Sequence, residues 1–133
     1  MLAQMSRTPQ MLVARISSEG SQEWYGAIYS VPERLTLQPN SFNDVRVSVT
    51  NDGRLTWDST TTPPIFLSYH WLLSGSEELV SFDGMRTPFA DAVEPGHLVT
   101  LDARVRAPEY PGHYVLIWDV VQEHRTWLSL EGV

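Results

Sequence analysis

The stretch from Ala107 to Val121, APEYPGHYVLIWDVV, constrains the fold of this chain more than any other. It begins with a proline-framed turn, places Tyr114 two residues after Gly112, and continues as an apolar run centred on Trp118. A proline-framed turn followed by a run of branched and aromatic residues is typical of a central β-strand. The upstream segments must then supply the strands that pack against it.

Those upstream segments are short and carry a two-residue periodicity. Valines alternate with polar residues from 44 to 50, and Asn51-Asp52-Gly53 then predicts a tight turn. The aromatic run Ile65–Leu73 and the alternation in 98–106 predict two further strands, and Leu35 to Leu37 predict an edge strand before Pro39. With seven to nine such strands and no helical periodicity, the sequence predicts an all-β, antiparallel β-sandwich.

The length of 133 residues is enough for one domain with a single packed core. The predicted organisation is an N-terminal arm with edge strands at 1–30, followed by the sandwich at 31–133. No run approaches the length of a membrane-spanning helix, and the first residues lack the apolar block of a secretory signal. We therefore expect a soluble chain that does not insert into a membrane, extracytoplasmic only if it is an excised module of an envelope protein.

Composition argues against several classes of partner and cofactor. The 9 basic residues are outnumbered by 16 acidic ones, a net charge of −7, so binding to a nucleic acid backbone is not expected. The chain contains no cysteine, which excludes disulfides and thiolate metal ligands. Its four histidines lie in separate segments without a metal-binding spacing, and no phosphate-binding loop or nucleophile motif occurs. We expect no metal, no cofactor and no catalytic residue.

Large aromatic residues supply the predicted core. Two-residue periodicity places Tyr69 and Trp71 on one face of their strand, and Tyr114 and Trp118 on one face of theirs. The tyrosine beside the Pro-Gly turn is also predicted to direct its hydroxyl to a backbone group near that turn, as in a tyrosine corner. The predicted core residues are Trp57, Tyr69, Trp71, Tyr114 and Trp118.

The opposite face of the same two strands is the candidate interaction face. It is unusually apolar for a solvent-exposed surface, and such a patch favours a contact with a protein partner or a second copy of the chain. A ligand or glycan face and cover by residues 11–29 remain as alternatives. The residues predicted to form this face are Ser68, His70, Val115, Ile117 and Asp119.

Asp83, Arg86 and Glu123 form a candidate polar cluster. Two carboxylates and an arginine can hold the hydroxyl groups of a sugar, and a carboxylate pair is also the catalytic unit of glycosidases. Trp24 and Trp127 could supply an aromatic platform for a sugar, or could lie in the core. Scattered acids on an acidic protein are most simply a solvated surface, and a hydrolase is the least favoured of these interpretations.

Several motifs together resemble the four-tryptophan immunoglobulin-like domain, which is known from selective-autophagy receptors and many bacterial proteins. The resemblance covers roughly residues 35–131, and the segments SYHWLL and DGMRTPF are more similar to a bacterial branch often appended to cell-envelope or glycan-related proteins. It implies an immunoglobulin-like sandwich acting as a noncatalytic interaction module or accessory subunit, with a carbohydrate-binding accessory domain as the alternative. The motifs are Asn51-x-Gly53-x-x-x-Trp57, Pro95-Gly96, Ala107-Pro108-x-x-Pro111-Gly112-x-Tyr114-x-x-x-Trp118, and Trp127.

Overall fold

The computed structural model describes residues 26–124 and 126–128, which form eight β-strands and no α-helix. All strand pairs are antiparallel. One sheet has three strands in the order β1-β2-β6; the other has five, with β4-β3-β7-β8 in order and β5 also paired to β3. The predicted all-β class is confirmed, and the arrangement is consistent with a β-sandwich. The strands are β1 (Ala27–Ser30), β2 (Phe42–Asn51), β3 (Ile65–Leu73), β4 (Leu79–Ser81), β5 (Thr87–Pro88), β6 (Leu98–Arg106), β7 (Tyr114–Gln122) and β8 (Thr126–Trp127).

The three-stranded sheet is built on the valine alternation of β2. Its side chains point inward at every second residue because successive residues of a strand face opposite sides. Val45, Val47 and Val49 are accordingly buried, and Ala103 and Val105 of β6 lie beside them in the same apolar layer. The other face of this sheet carries polar and charged residues together with the exposed side chains of Ile28, Phe42 and Leu98.

The five-stranded sheet contributes the aromatic half of the core. Strands β3 and β7 pair along nine residues, with Tyr69 opposite Trp118 and Trp71 opposite Leu116. The rings of Tyr69 and Trp118 meet edge to face, with centroids 6.1 Å apart, a favourable geometry for aromatic pairs. All five predicted core aromatics, Trp57, Tyr69, Trp71, Tyr114 and Trp118, are buried.

Two side chains of β3 fasten the sheets to each other at the end of β6. The backbone N–H of Arg106 donates to the Tyr69 hydroxyl at 2.8 Å, and Trp71 Nε1 donates to the Arg106 carbonyl at 3.0 Å. The polar atoms of these core aromatics therefore satisfy backbone groups of the opposite sheet, which a buried interface requires.

The two predicted turns are also observed. Buried Asn51 accepts a hydrogen bond from the N–H of Gly53 and donates from Nδ2 to the carbonyls of Leu55 and Val93, so one amide side chain organises the turn. The Tyr114 hydroxyl donates to the Tyr110 carbonyl at 2.6 Å, which confirms the predicted bond back to the turn.

One detail differs from the sequence interpretation. Residues 35–37 do not form the predicted edge strand: Leu37 is buried, but the chain there pairs with no other strand of the described region. Strand β1 lies at the edge of the three-stranded sheet, where it pairs with β2. Residues 1–25 of the predicted N-terminal arm and edge strands lie outside the described residues, as do Arg125 and 129–133 of the predicted last strand.

Candidate functional site

The five residues of the predicted interaction face do share one face of the five-stranded sheet. Ser68 lies opposite Asp119, His70 opposite Ile117, and Leu72 opposite Val115 in the pairing of β3 with β7. Cross-strand partners point to the same side of a sheet, so the two-residue periodicity placed these side chains together correctly.

These side chains are less exposed to solvent than the predicted interaction face requires. The three polar residues Ser68, His70 and Asp119 are buried, with exposed fractions of 1%, 5% and 1%, while Val115 and Ile117 are half-buried. The reason is that the connection from β4 to β5, residues 82–86, folds over this part of the sheet. The polar centre of the predicted face is therefore interior.

The sequence also offers residues 11–29 as an alternative cover for this face. Ala27 to Tyr29 lie in β1 and thus in the other sheet, and residues 11–25 are outside the described part of the chain. Within the described residues, the cover comes from the β4–β5 connection and from Trp127 of β8.

His70 is fixed through both ring nitrogens. Nε2 lies 2.7 Å from Asp119 Oδ2, and Nδ1 contacts the carbonyl oxygen of Phe82. Because a carbonyl oxygen only accepts, Nδ1 carries a proton, and a second proton lies between Nε2 and the carboxylate. Histidine and aspartate therefore form a unit of zero total charge, which is the condition for leaving two such groups inside a protein.

The other Asp119 oxygen accepts a hydrogen bond from the backbone N–H of Val120 at 2.9 Å. This bond ties the carboxylate to its own strand while Oδ2 reaches across to β3. A buried carboxylate needs such additional donors to offset the water it has lost, so Asp119 acts as a cross-strand anchor.

Two aromatic rings enclose the imidazole. Phe82 stacks on His70 with centroids 4.1 Å apart and an interplanar angle of 26°, and Trp127 lies at 4.5 Å with a tilt of 53°. Phe82 and Trp127 also contact each other edge to face at 5.0 Å. Three rings from β3, β8 and the β4–β5 connection thus form one cluster that excludes water from the histidine–aspartate pair.

The structure also brings together the predicted polar cluster of Asp83, Arg86 and Glu123. Arg86 binds Glu123 with both Nε and Nη2, the latter at 3.3 Å, and its Nη1 lies 2.7 Å from Asp83 Oδ1. Burial alone lowers the pKa of the Arg86 guanidinium, but its hydrogen bonds and charge interactions with Glu123 and Asp83 outweigh burial, so the pKa is raised above its ordinary value. Arg86 remains a cation.

Arg86 links this cluster to the sheet beneath it. It donates to the Gly84 carbonyl at 2.7 Å and to Ser68 Oγ at 3.3 Å, and its guanidinium lies 4.9 Å from the centre of the Trp127 ring. An arginine that combines a carboxylate, a carbonyl and an aromatic face has little freedom left. It holds the β4–β5 connection against β3, β7 and β8.

Ser68, His70 and Asp119 are the residue types of a hydrolytic triad, but they are not arranged as one. A triad histidine uses one nitrogen for the carboxylate and the other for the serine. Here the second nitrogen of His70 contacts the Phe82 carbonyl, and Ser68 Oγ donates to the Met85 carbonyl at 3.0 Å. No ring nitrogen faces the serine, so this geometry does not activate it as a nucleophile.

Sequence analysis missed the part played by Phe82 and Gly84. A Cβ atom at Gly84 would lie 2.5 Å from the Tyr69 carbonyl oxygen, so only glycine permits the β4–β5 connection to approach β3 this closely. The pair Asp83-Gly84 signals a turn in the sequence, but the close approach depends on a distant strand and leaves no further local signal.

An exposed apolar patch lies beside the covered cluster. The side chains of Leu79, Val80 and Phe82 are 56%, 42% and 39% exposed, although all three are large and apolar. Leu79 pairs with Leu72, which in turn pairs with Val115, so an apolar row crosses three strands on the outer side of the sheet. The apolar patch is defined as Leu72, Leu79, Val80, Phe82, Val115 and Ile117.

Other kinds of site have less support in the described residues. No group of three or more His, Asp or Glu side chains is placed to hold a metal ion within residues 26–124 and 126–128. The same part of the chain has no helix with the length and hydrophobicity needed to cross a membrane. Among the large exposed apolar side chains of the described residues, Leu79, Val80 and Phe82 lie closest together in the sequence.

Comparison with known proteins gives no relative from which a function could be transferred. The chain matches no family model, no curated protein and no solved structure. Any functional conclusion must therefore come from the chemistry of its own surface.

Proposed function

We propose that this chain is a noncatalytic, immunoglobulin-like interaction module that binds another protein through the apolar patch. The observation that carries the proposal is the exposure of Leu79, Val80 and Phe82 side by side on one strand and its following turn. Contiguous exposed apolar side chains bordered by polar groups mark interaction sites far more often than single exposed ones do.

The immunoglobulin-like assignment is supported by the two antiparallel sheets and by the position of the tyrosine corner. The bond from Tyr114 to Tyr110 lies at the start of β7, a central strand of the five-stranded sheet. A tyrosine corner near the start of such a strand is a hallmark of immunoglobulin-like sandwiches. The Asn51 turn followed by buried Trp57 agrees with the motif that suggested the resemblance.

The contacts that hold the patch in place also support a binding role. Phe82 is held from behind by His70 and Trp127, and the chain that follows it is fixed by Arg86. A surface whose side chains are already ordered loses less conformational entropy when a partner binds. The buried polar cluster therefore acts as support for the patch, and no bond of the cluster has to break for binding.

A carbohydrate platform has less support from the same geometry. Sugars stack on an open aromatic face, but the faces of Trp127 already contact Arg86 and His70. The polar groups proposed for sugar hydroxyls are paired with one another, since Arg86 is shared between Glu123 and Asp83. A glycan would have to compete with these internal contacts.

Site-specific cross-linking tests the proposal. A photoactivatable benzoylphenylalanine replaces Leu79 in one version of the full chain and Leu98 in another; both leucines are exposed, at 56% and 62%, but Leu98 belongs to the three-stranded sheet. In cells that naturally produce the chain, we expect a discrete protein adduct from position 79, with either a second copy or another protein, and none from position 98. Equal labelling at both positions, or no adduct from position 79, would contradict it.

A further inference from the structure

The immediate surroundings of the apolar patch are acidic. Apart from Asp119, which is paired internally with His70, the acids of residues 65–88 and 114–124 are Glu77, Glu78, Asp83 and Glu123, and the same residues contain a single arginine, Arg86. These four acids all lie in the segments that connect the strands.

The acids closest to the patch lie at both ends of β4. Glu77 and Glu78 are exposed and directly precede Leu79, and Asp83 directly follows Phe82 with a side chain that is 76% exposed. Their backbone is well placed, because Leu73 and the two glutamates exchange hydrogen bonds of 2.9 Å that close the β3–β4 loop. The patch therefore has a fixed acidic border.

The two glutamates of this border are not neutralised from within the described part of the chain, whereas Asp83 is paired with Arg86. Arg86 is the sole arginine in residues 65–88, and it is engaged by Glu123 and Asp83. Neither Glu77 nor Glu78 forms a salt bridge with any other described residue. Their carboxylates face water, where they are open to an incoming cation.

We infer that the partner segment bound by the patch is cationic and amphipathic, with aliphatic side chains that cover Leu79 and Val80 and with lysine or arginine side chains that meet Glu77 and Glu78. This inference rests on the proposed function, since it names the chemistry of the partner at the same surface. Apolar contact supplies affinity at the centre of an interface, and complementary charges at the rim supply selectivity and faster association.

Two synthetic peptides of equal length provide a direct test with the full chain. One alternates lysine with valine, and the other alternates glutamate with valine. In an NMR titration at low salt, we expect the lysine peptide to shift the backbone amides of 77–83 and the glutamate peptide to shift none of them up to about 1 mM. The affinity for the lysine peptide should fall as salt is raised, because the rim charges are exposed.

Two double charge-reversal variants distinguish the effect of the acidic border on peptide binding from the effect of the net charge of the protein. The double variant Glu77→Lys with Glu78→Lys should weaken binding of the lysine peptide by about fivefold or more. The matched variant Asp91→Lys with Glu94→Lys makes the same change in net charge at exposed residues between β5 and β6, and it should change the affinity by less than about twofold.

Each other result decides against the inference. Equal weakening by both double variants would mean that only the net charge attracts the peptide. Shifts at 77–83 with the glutamate peptide would mean that the patch does not select cations, while the patch itself remained a binding surface. Lysine-peptide shifts centred elsewhere, or no shifts at all, would contradict the inference that the partner is cationic. Cross-linking from position 79 would still report independently on whether a protein binds there.

Discussion

The outer face of the three-stranded sheet keeps its charges in water, whereas the outer face of the five-stranded sheet keeps several of them under a cover of chain. Arg46 pairs with Asp102 at 3.1 Å, and these side chains are 69% and 56% exposed. His70 pairs with Asp119 at 2.7 Å, and their side chains are 7% and 1% exposed. Both pairs join neighbouring strands, but only one of them is removed from solvent.

The difference in burial changes what each pair does. An exposed ion pair gains little because water screens it and because two long side chains must be held in one position. A buried pair has lost its hydration and persists only where every polar atom is satisfied. The bonds of His70 to Phe82 and of Asp119 to Val120 meet that condition. The exposed pair thus keeps the outer face of the three-stranded sheet compatible with water, while the buried pair holds a covering segment on the outer face of the five-stranded sheet.

The largest effect is expected when the buried pair loses one partner. In the variant Asp119→Ala, Nε2 of His70 would remain inside the protein without its acceptor. Breaking a buried pair in this way costs about 3–5 kcal/mol of the free energy of unfolding. Urea denaturation monitored by tryptophan fluorescence measures this loss, and an intact native spectrum in buffer shows whether the variant still folds.

The double variant His70→Ala with Asp119→Ala serves as the control. It removes both polar groups, so it should cost less than the sum of the two single variants, and the difference measures their coupling. A loss below about 1 kcal/mol for Asp119→Ala would put this pair in the range of exposed pairs and would remove the contrast between the two faces.

The next largest effect is expected where the covering segment touches β3. In Gly84→Ala, the added Cβ would lie 2.5 Å from the Tyr69 carbonyl oxygen, so the connection from β4 to β5 would have to move away. Overpacking of this kind costs about 1–3 kcal/mol. The variant Gly112→Ala is a matched control, because its Cβ would meet the Tyr114 ring at an ordinary 3.5 Å. Equal losses in the two variants would show that the close approach is unimportant.

Local periodicity explains how much of this contrast could be predicted from sequence. The alternation in β2 and the aromatic run of β3 identify which residues face inward, because successive residues of a strand point to opposite sides. The same rule put Ser68, His70 and Asp119 on one outer face, and the structure agrees. Periodicity gives the side of a sheet to which a residue points, and it contains no information about what lies above that side.

The burial of that face could not be predicted, because it depends on contacts between distant segments. Phe82 and Trp127 cover His70 only after the β4–β5 connection has folded back and β8 has paired with β7. The edge strand predicted at 35–37 failed for a related reason. Tertiary bonds in the next segment, from Asn40 N–H to the Pro108 carbonyl and from Ala107 N–H to the Ser41 carbonyl, hold the chain without sheet pairing there.

A smaller effect is expected at the tyrosine corner, which lies on β7 outside the covered cluster. Tyr114→Phe removes one hydrogen bond to the Tyr110 carbonyl and should cost about 1 kcal/mol at neutral pH. Burial raises the pKa of Tyr114 in the folded protein. The folded state therefore holds this proton more tightly, so the stabilisation is full below the unfolded pKa of about 10 and is lost as pH rises above it.

The comparison to make is urea denaturation of the parent protein and the variant from neutral pH upward. The parent should lose stability more steeply than Tyr114→Phe in alkaline solution, so the two curves should converge. Parallel curves would show that Tyr114 does not contribute to the alkaline loss. A loss at neutral pH as large as that of Asp119→Ala would show that the corner contributes as much to stability as the covered cluster does.

The smallest effect is expected at the exposed pair of the three-stranded sheet. Asp102→Ala leaves Arg46 in water, where its charge remains hydrated, so the free energy of unfolding should change by about 0.5 kcal/mol or less. The difference should shrink further at high salt, since exposed charges are screened. Asp102 and Asp119 are both aspartates on paired strands, so denaturation of the two alanine variants under identical conditions isolates burial as the variable. A loss above about 2 kcal/mol for Asp102→Ala, well outside the range of exposed pairs, would mean that the outer face of the three-stranded sheet is also covered, and that the location of a partner must be reconsidered.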